Sequence, residues 1–355
     1  MTFRFDDIPQ RVYWELTRAC DLACTHCRAN ANSCADPREL TTAEVFRILE
    51  QFAAAGSPHI ILTGGDPLKR RDFFDIVEHT VELKLPCLVA PSATPLLTPE
   101  VIRLLSTMHV SAMSLSLDGS TPELHDGLRG VAGTFSRTIT IARAIVEAGI
   151  PLQINTLVTA QTPADLPEIH RIVREIGAER WSLFFLIATG RGTNLRPLTP
   201  AQSDEVLNWA LDRAQDRRPI VTTTEAPHYR RLALTKFKHS ETARAPLTRG
   251  MGIRDGNGVM FISHTGEVQP SGFLPLTAGY ARTENPLHIY RHSPLFQSLR
   301  QPDQFLGRCG CCEFREVCGG SRARAYAATG DALASDPLCS YQPAAMTDQR
   351  AMLRD

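Results

Sequence analysis

The sequence carries no excess charge of either sign: across 355 residues, 38 Lys and Arg balance 38 Asp and Glu. With no net field, electrostatic attachment to nucleic acid or an anionic bilayer is a poor first reading. No apolar run approaches the ~18 residues of a membrane helix, and the opening Met1-Thr-Phe-Arg-Phe-Asp-Asp places two acids where a signal core would need apolar residues. A cytoplasmic protein without membrane or nucleic-acid partners is expected. The 10 cysteines are too sparse for a disulfide scaffold, which needs roughly 8–10% Cys in a short secreted chain. In a reducing compartment, closely spaced cysteines point instead to metal or redox chemistry. Low-complexity tracts are also lacking, and at 43% hydrophobic and 21% charged the chain is neither disordered nor fibrous.

What the chain does have is a rhythm. Between Val12 and residue 217, short β-branched or apolar runs at 12–19, 59–64, 87–93, 111–117, 151–159 and 181–188 predict strands. Segments 42–55, 72–84, 98–108, 134–148, 163–176 and 199–215 carry apolar residues at helical spacing. Thr41 or Thr42 with Glu44, and Pro99 with Glu100, predict helix starts; Gly56, Gly149 and Gly177 predict stops. Six strand–helix units build a parallel sheet with right-handed crossovers, whose ligands bind at the carboxyl ends of the strands. Six cannot close an eight-fold barrel, so an open barrel is predicted. After residue 218 the rhythm fails: 222–258 reads as loop and short helix, and 259–269 as a hairpin turning at Thr265-Gly266.

Directly after the first strand stands Cys20-Asp-Leu-Ala-Cys24-Thr-His-Cys27. Three thiolates spaced C-x3-C-x2-C can converge on one metal centre, one ligand short of a closed four-cysteine site. An iron–sulfur cluster so held keeps one iron open to a substrate or cofactor. Zinc completed by His26 or a distant residue, or three buried thiols, are the alternatives. Near the other end, Cys309, Cys312, Cys318 and Cys339 follow C-x2-C-x5-C-x20-C. Four thiolates suffice for either iron–sulfur or structural zinc.

The first cysteine loop, placed after the first strand of a six-unit barrel, resembles the signature of the radical S-adenosylmethionine (SAM) enzymes. The resemblance implies that Cys20, Cys24 and Cys27 hold a 4Fe–4S cluster whose open iron is chelated by SAM. One electron then splits SAM to a 5′-deoxyadenosyl radical that abstracts hydrogen from substrate. The resemblance also assigns SAM-binding roles to Gly64, Gly65 and Asp66, in Thr63-Gly-Gly-Asp-Pro67, where the family usually has Gly-Gly-Glu. It extends them to Ser116 and Asp118 after the fourth strand, Asn155 on the fifth, and Ala188-Thr-Gly190-Arg-Gly192 after the sixth. His125-Asp126-Gly-Leu-Arg129-Gly130 resembles a segment common in the branch with C-terminal iron–sulfur extensions.

The run Cys309-Gly-Cys311-Cys312 … Cys318-Gly-Gly-Ser-Arg-Ala-Arg, closed by Asp336-Pro-Leu-Cys339, is similar to the shortened SPASM or twitch extension. It is closest to the branch of alternative-haem and haem-d1 biosynthesis enzymes. Ser271 stands where a full extension has a Cys, so one auxiliary 4Fe–4S cluster is expected, with Cys311 spare, Cys87 in core packing and Cys34 without a role. The implied fold class is α/β: a partial (β/α)6 radical SAM barrel over 1–217 and a smaller SPASM/twitch-like module over 218–355. The implied enzyme is an oxidoreductase or maturase served by a reduced ferredoxin or flavodoxin. Its substrate would be a tetrapyrrole or similar small molecule losing or rearranging carboxylates, with Arg254, Arg322 and Arg324 as candidate anchors, or else a ribosomally made peptide. A non-enzymatic two-zinc interaction module is the remaining reading.

Overall fold

A computed structural model describes residues 4–216, 218–240 and 250–346. Strand β1 (Arg11–Glu15) is followed by α1 (Thr42–Ala55), β2 (His59–Thr63), α2 (Phe73–Glu82), β3 (Cys87–Val89), α3 (Pro99–Thr107) and β4 (Ala112–Ser116). Next come α4 (Pro122–Arg129), α5 (Thr134–Glu147), β5 (Leu152–Val158), α6 (Leu166–Ile176), β6 (Arg180–Phe185) and α7 (Pro200–Arg213). β1 to β6 lie side by side in chain order and are all parallel. β2, His-Ile-Ile-Leu-Thr, buries three residues in succession, the pattern of a parallel strand covered on both faces. Helix starts follow local chemistry: Thr41 and Glu44 close a capping box on α1, and Thr98 caps α3 ahead of Pro99.

Several elements depart from expectation. The first and third strands stop at Glu15 and Val89, short of 19 and 93. Beyond β3, Pro91 cannot donate to a ladder. Beyond β1, the chain turns so that the carbonyls of Thr17 and Ala19 accept from the amides of Gly65 and Asp66, both at 2.7 Å. Helix α4 escaped the rhythm because it is short and buries only His125. In the region read as loop and short helix, β7 (Ile220–Thr224) pairs parallel with β6 and leads into α8 (His228–Lys236).

The expected hairpin forms from β9 (Gly258–Ile262) and β10 (Glu267–Gln269), with Val268 opposite Ile262. β9 lies parallel against β1, β8 (Arg254–Asp255) pairs beside it, and β11 (Gly279–Tyr280) adds the outer edge. The sheet therefore runs β11-β10-β9-β1 and on to β7, an open barrel continuing past the boundary drawn at 217. Helices α9 (Pro286–His292), α10 (Pro294–Leu299), α11 (Gly307–Gly310) and α12 (Arg322–Thr329) complete the described chain. Among the described residues no helix is long and apolar enough to cross a membrane.

One core fills the barrel, with Trp14, Leu62, Leu115, Ile154 and Leu183 among its buried members. A much smaller one, Ile187, Leu274, Leu299, Ala323 and Ala332, joins the carboxyl edge of the sheet to the C-terminal module. At the end of β1, Glu15 is fully buried. Its carboxylate accepts from Arg18 Nε at 3.2 Å, pairs with Arg28 Nη1 at 3.0 Å and meets His264 Nδ1 at 2.9 Å. Burial opposes the charge, but Arg28, the His264 hydrogen bond and Arg18 outweigh it and hold the carboxyl at about 2.

Two outcomes follow. Ile154→Ala in β5 should cost about 2–5 kcal/mol, read as a lower urea midpoint with an unchanged slope. Because its folded pKa is depressed, Glu15 contributes about 3 kcal/mol that is fully present above pH ~4.5 and lost as pH falls towards 2. Denaturation of Glu15→Gln and wild type should therefore differ most near neutrality and converge across that acid window.

Candidate functional site

The loop after β1 is built to present sulfur. Leu22 N donates to Cys20 Sγ at 3.3 Å, Ala31 N to Cys27 Sγ at 3.4 Å, and Arg129 Nη1 to Cys24 Sγ at 3.7 Å. The loop is clamped from two sides. The amides of Ala23 and Thr25 reach the carbonyls of Arg129 and Leu128 at the end of α4. From beyond β6, Arg191 Nε reaches Cys24 O at 2.7 Å and its amide reaches Cys27 O at 3.0 Å. Gly65 packs so closely that a Cβ there would lie 2.5 Å from Ala19 O, an approach only glycine permits. Burial pushes the Cys20 and Cys24 thiols up, so their protons must leave when a metal centre binds.

Beside this loop, at the carboxyl edge of the sheet, a cavity is walled by His26, Arg28, Ser116, Asp118, Arg129 and Asn155, with an apolar side that includes Leu157, Phe184, Phe185, Ile187 and Phe273. The structure thus brings Ser116, Asp118 and Asn155 together. Asp118 accepts from Leu157 N at 2.7 Å and pairs with Arg129. Burial raises its pKa, yet Arg129, with His26 and His125, outweighs this and leaves the carboxylate below its usual range. Arg129 therefore bridges Asp118 and Cys24, a role that the sequence resemblance of its segment did not assign. Burial brings His26 down to about 4, and its Nδ1 is buried without a partner, leaving a neutral imidazole able to bond a ligand.

Gly64, Gly65 and Asp66 are not part of that wall. Asp66 is fully buried, caps the turn at Pro67, and accepts from Thr94 Oγ1 at 2.7 Å and Ser92 N at 3.4 Å. Ser92 Oγ in turn donates to Gly65 O at 2.9 Å and lies 3.7 Å from Cys20 Sγ. These residues brace the cysteine loop from behind. Phe273 and the Phe184-Phe185 pair went unread in the sequence, since an apolar residue at a strand end carries no mark of the cavity it faces.

The second cysteine group gathers between α11 and the chain beyond α12. Cys309, Cys312, Cys318 and Cys339 gather here: Cys309 and Cys339 both help raise the pKa of Cys312 and of Cys318, and Cys309 that of Cys339. Burial is the first cause and brings Cys312 to about 11 and Cys318 to about 12. Each sulfur accepts an amide: Cys309 from Asp336 at 3.4 Å, Cys312 from Phe314 at 3.4 Å, Cys318 from Gly320 and Cys339 from Tyr341. Arg322 Nη2 adds a charged donor to Cys309 at 3.6 Å. Gly320 has a φ of 70°, and a Cβ there would lie 2.6 Å from Arg322 Nη2 and 3.1 Å from Cys309 Sγ.

The remaining cysteines differ. Burial alone pushes Cys87 up to about 12, Cys34 is exposed, and exposed Cys311 donates its own proton to Arg308 O. Ser271 accepts from Phe273 N at 3.3 Å. Among the described residues no three His, Cys, Asp or Glu side chains close around a single ion. The spacing and the N–H donors fit iron–sulfur ligation.

The arginines considered as substrate anchors are engaged elsewhere. Arg324 pairs with Asp336 at 3.2 Å and reaches Glu225 O and Leu186 O. Arg322 donates to Ala332 O and Ala334 O, and Arg254 to Gly252 O.

A model of the radical SAM superfamily matches residues 14–173. An AdoMet-dependent heme synthase of Nitratidesulfovibrio vulgaris is 39% identical over 346 residues, spanning 96% of this chain and 94% of that protein. Another from Methanosarcina barkeri is 37% identical over 340 residues, spanning 94% and 97%. The fold is shared with Streptococcus suis SuiB bound to its precursor peptide SuiA, with a TM-score of 0.74 at 20% identity, covering 94% of this chain and 76% of that one. The chain is a radical SAM enzyme and belongs to the branch of that superfamily that contains the AdoMet-dependent heme synthases.

Proposed function

We propose that this enzyme acts on a tetrapyrrole, removing or rearranging its carboxylate side chains. In this reading Cys20, Cys24 and Cys27 hold the SAM-binding 4Fe–4S cluster, and Cys309, Cys312, Cys318 and Cys339 hold one auxiliary 4Fe–4S cluster. The observation that carries the substrate class is identity of 37–39% along nearly the whole chain to two heme synthases; the peptide-bound neighbour shares only the fold, at 20%. The apolar wall of Leu157, Phe184, Phe185, Ile187 and Phe273 supports it, because a flat macrocycle needs such a surface.

When bound, SAM and its cluster would supply the electron-driven cleavage and the 5′-deoxyadenosyl radical. The chain's own residues do the rest. Ser116, Asp118 and Asn155 offer polar groups to SAM, His26 adds a neutral ring, and Arg129 fixes Asp118 against the cysteine loop. Gly64 and Gly65 let the β2 loop pack against that loop, and Asp66 locks it there through Thr94 and Ser92. The apolar wall would keep water from the site. A division into a radical SAM core at 1–217 and an auxiliary module at 218–355 whose first strands extend the core's sheet, a ferredoxin or flavodoxin-type electron donor, and a cytoplasmic setting complete the proposal.

Anaerobically reconstituted protein should hold about eight irons, the sum of two four-iron clusters, and zinc in place of iron would overturn the assignment. With dithionite and SAM it should form 5′-deoxyadenosine, and Cys24→Ala should abolish this. Mass spectrometry with an iron porphyrin bearing propionates should reveal loss or rearrangement of carboxyl groups; an unchanged porphyrin and a modified peptide would favour the peptide alternative. Gly320→Ala, which forces a Cβ onto Arg322 and Cys309, should lower the iron count to about four, one cluster remaining.

A further inference from the structure

The two cysteine groups differ in how their surrounding arginines are balanced. Around the barrel loop Arg129 pairs with Asp118, Arg18 and Arg28 share Glu15, and Arg191 gives its guanidinium to the backbone carbonyls of Cys24 and Ala31. Around the C-terminal group, Arg324 pairs with Asp336 and Arg231 lies 3.6 Å from Asp204. Arg230, Arg254 and Arg322 make no ion pair with a carboxylate among the described residues; Glu316 acts on Arg254 only from beyond ion-pair distance. Arg254 and Arg322 are buried and both stand over the Phe305 ring, at 5.3 and 4.5 Å. Arg322 donates to Cys309, and both Arg230 and Arg254 act electrostatically on Cys318.

Clustered cations in a protein interior repel one another and are retained only where an anion balances them. Among the described residues the anions facing them, besides Glu316, would be the four thiolates and what they bind. Positive charge left uncompensated next to a redox centre favours the form with one more electron, and in a low-dielectric interior the effect is large. We propose that Arg230, Arg254 and Arg322 form a cationic clamp that holds the auxiliary centre at a higher reduction potential than its ligands alone would give. These are positioning residues: they act on the centre, not on substrate. The inference rests on the auxiliary-cluster reading above.

The test is a redox titration of the reconstituted full-length enzyme, each cluster followed by electron paramagnetic resonance, in wild type, Arg254→Gln, Arg230→Gln and Arg254→Lys. The neutral variants should lower the reduced-to-oxidised ratio of the auxiliary centre about tenfold at a fixed poise, a shift of about 59 mV for one electron. The barrel centre should not move, and Arg254→Lys should stay near wild type. An unmoved auxiliary potential at full iron content, or equal shifts in both centres, overturns the clamp. So does loss of the auxiliary cluster from both neutral variants, which would make these arginines assembly residues. A wild type with a single four-iron centre overturns the clamp together with the auxiliary-cluster reading, an outcome the iron count separates from the others.

Discussion

A single buried carboxylate holds the catalytic end of this protein together. Glu15 ends β1, the strand that pairs with both β2 and β9. Through Arg18 and Arg28 it grips the two ends of the cysteine loop, and through His264 it grips the turn of the β9–β10 hairpin. An acid without water around it is stable only while these partners stay in place. The same contacts therefore fix the strand's end, the loop that presents sulfur and the hairpin that closes the sheet. Arg28, lying 4.6 Å over the Phe261 ring, carries that order into the cavity wall.

From that anchor the charge pattern divides the molecule. At the barrel loop Arg129 answers Asp118 and Arg18 and Arg28 answer Glu15, while Arg191 is held by backbone carbonyls, and the cavity beside them presents a neutral His26 and a short apolar wall. Among the cations around the C-terminal thiols, Arg230, Arg254 and Arg322 make no ion pair with a carboxylate among the described residues, whereas Arg324 and Arg231 face Asp336 and Asp204. Arg324 and Asp336 link the two regions, one reaching Leu186 O on the cavity wall and the other giving its amide to Cys309. The small second core at Ile187, Leu274 and Leu299 keeps that link short and rigid.

Much of the fold was legible because its causes are local. The Thr41–Glu44 box, the Pro99 start and the apolar run of β2 each announce an element within a few residues. Reading failed where long-range bonds decide. Leu16 to Ala19 is apolar enough to extend β1, but its carbonyls are taken by the Gly65–Asp66 loop. β7 was missed because Ile220–Thr224 carries three threonines and acquires its pairing only from β6. The side chain of Asp66, in the motif position, is bonded to Thr94, Ser92 and Leu68, contacts that no local pattern announces.

The cysteine spacings by themselves determined the chemistry. Ligand number and separation along the chain are properties of order, and C-x3-C-x2-C and C-x2-C-x5-C-x20-C survive in any reading of it. Spacing also left Cys311 outside the second set; its thiol is exposed. Tertiary structure alone decided which side chains meet those sulfurs and what balances their charge. Arg129, Arg322, Arg254 and Phe273 come from distant parts of the chain, and whether an arginine finds a carboxylate depends on packing in three dimensions, where burial makes each unbalanced charge count.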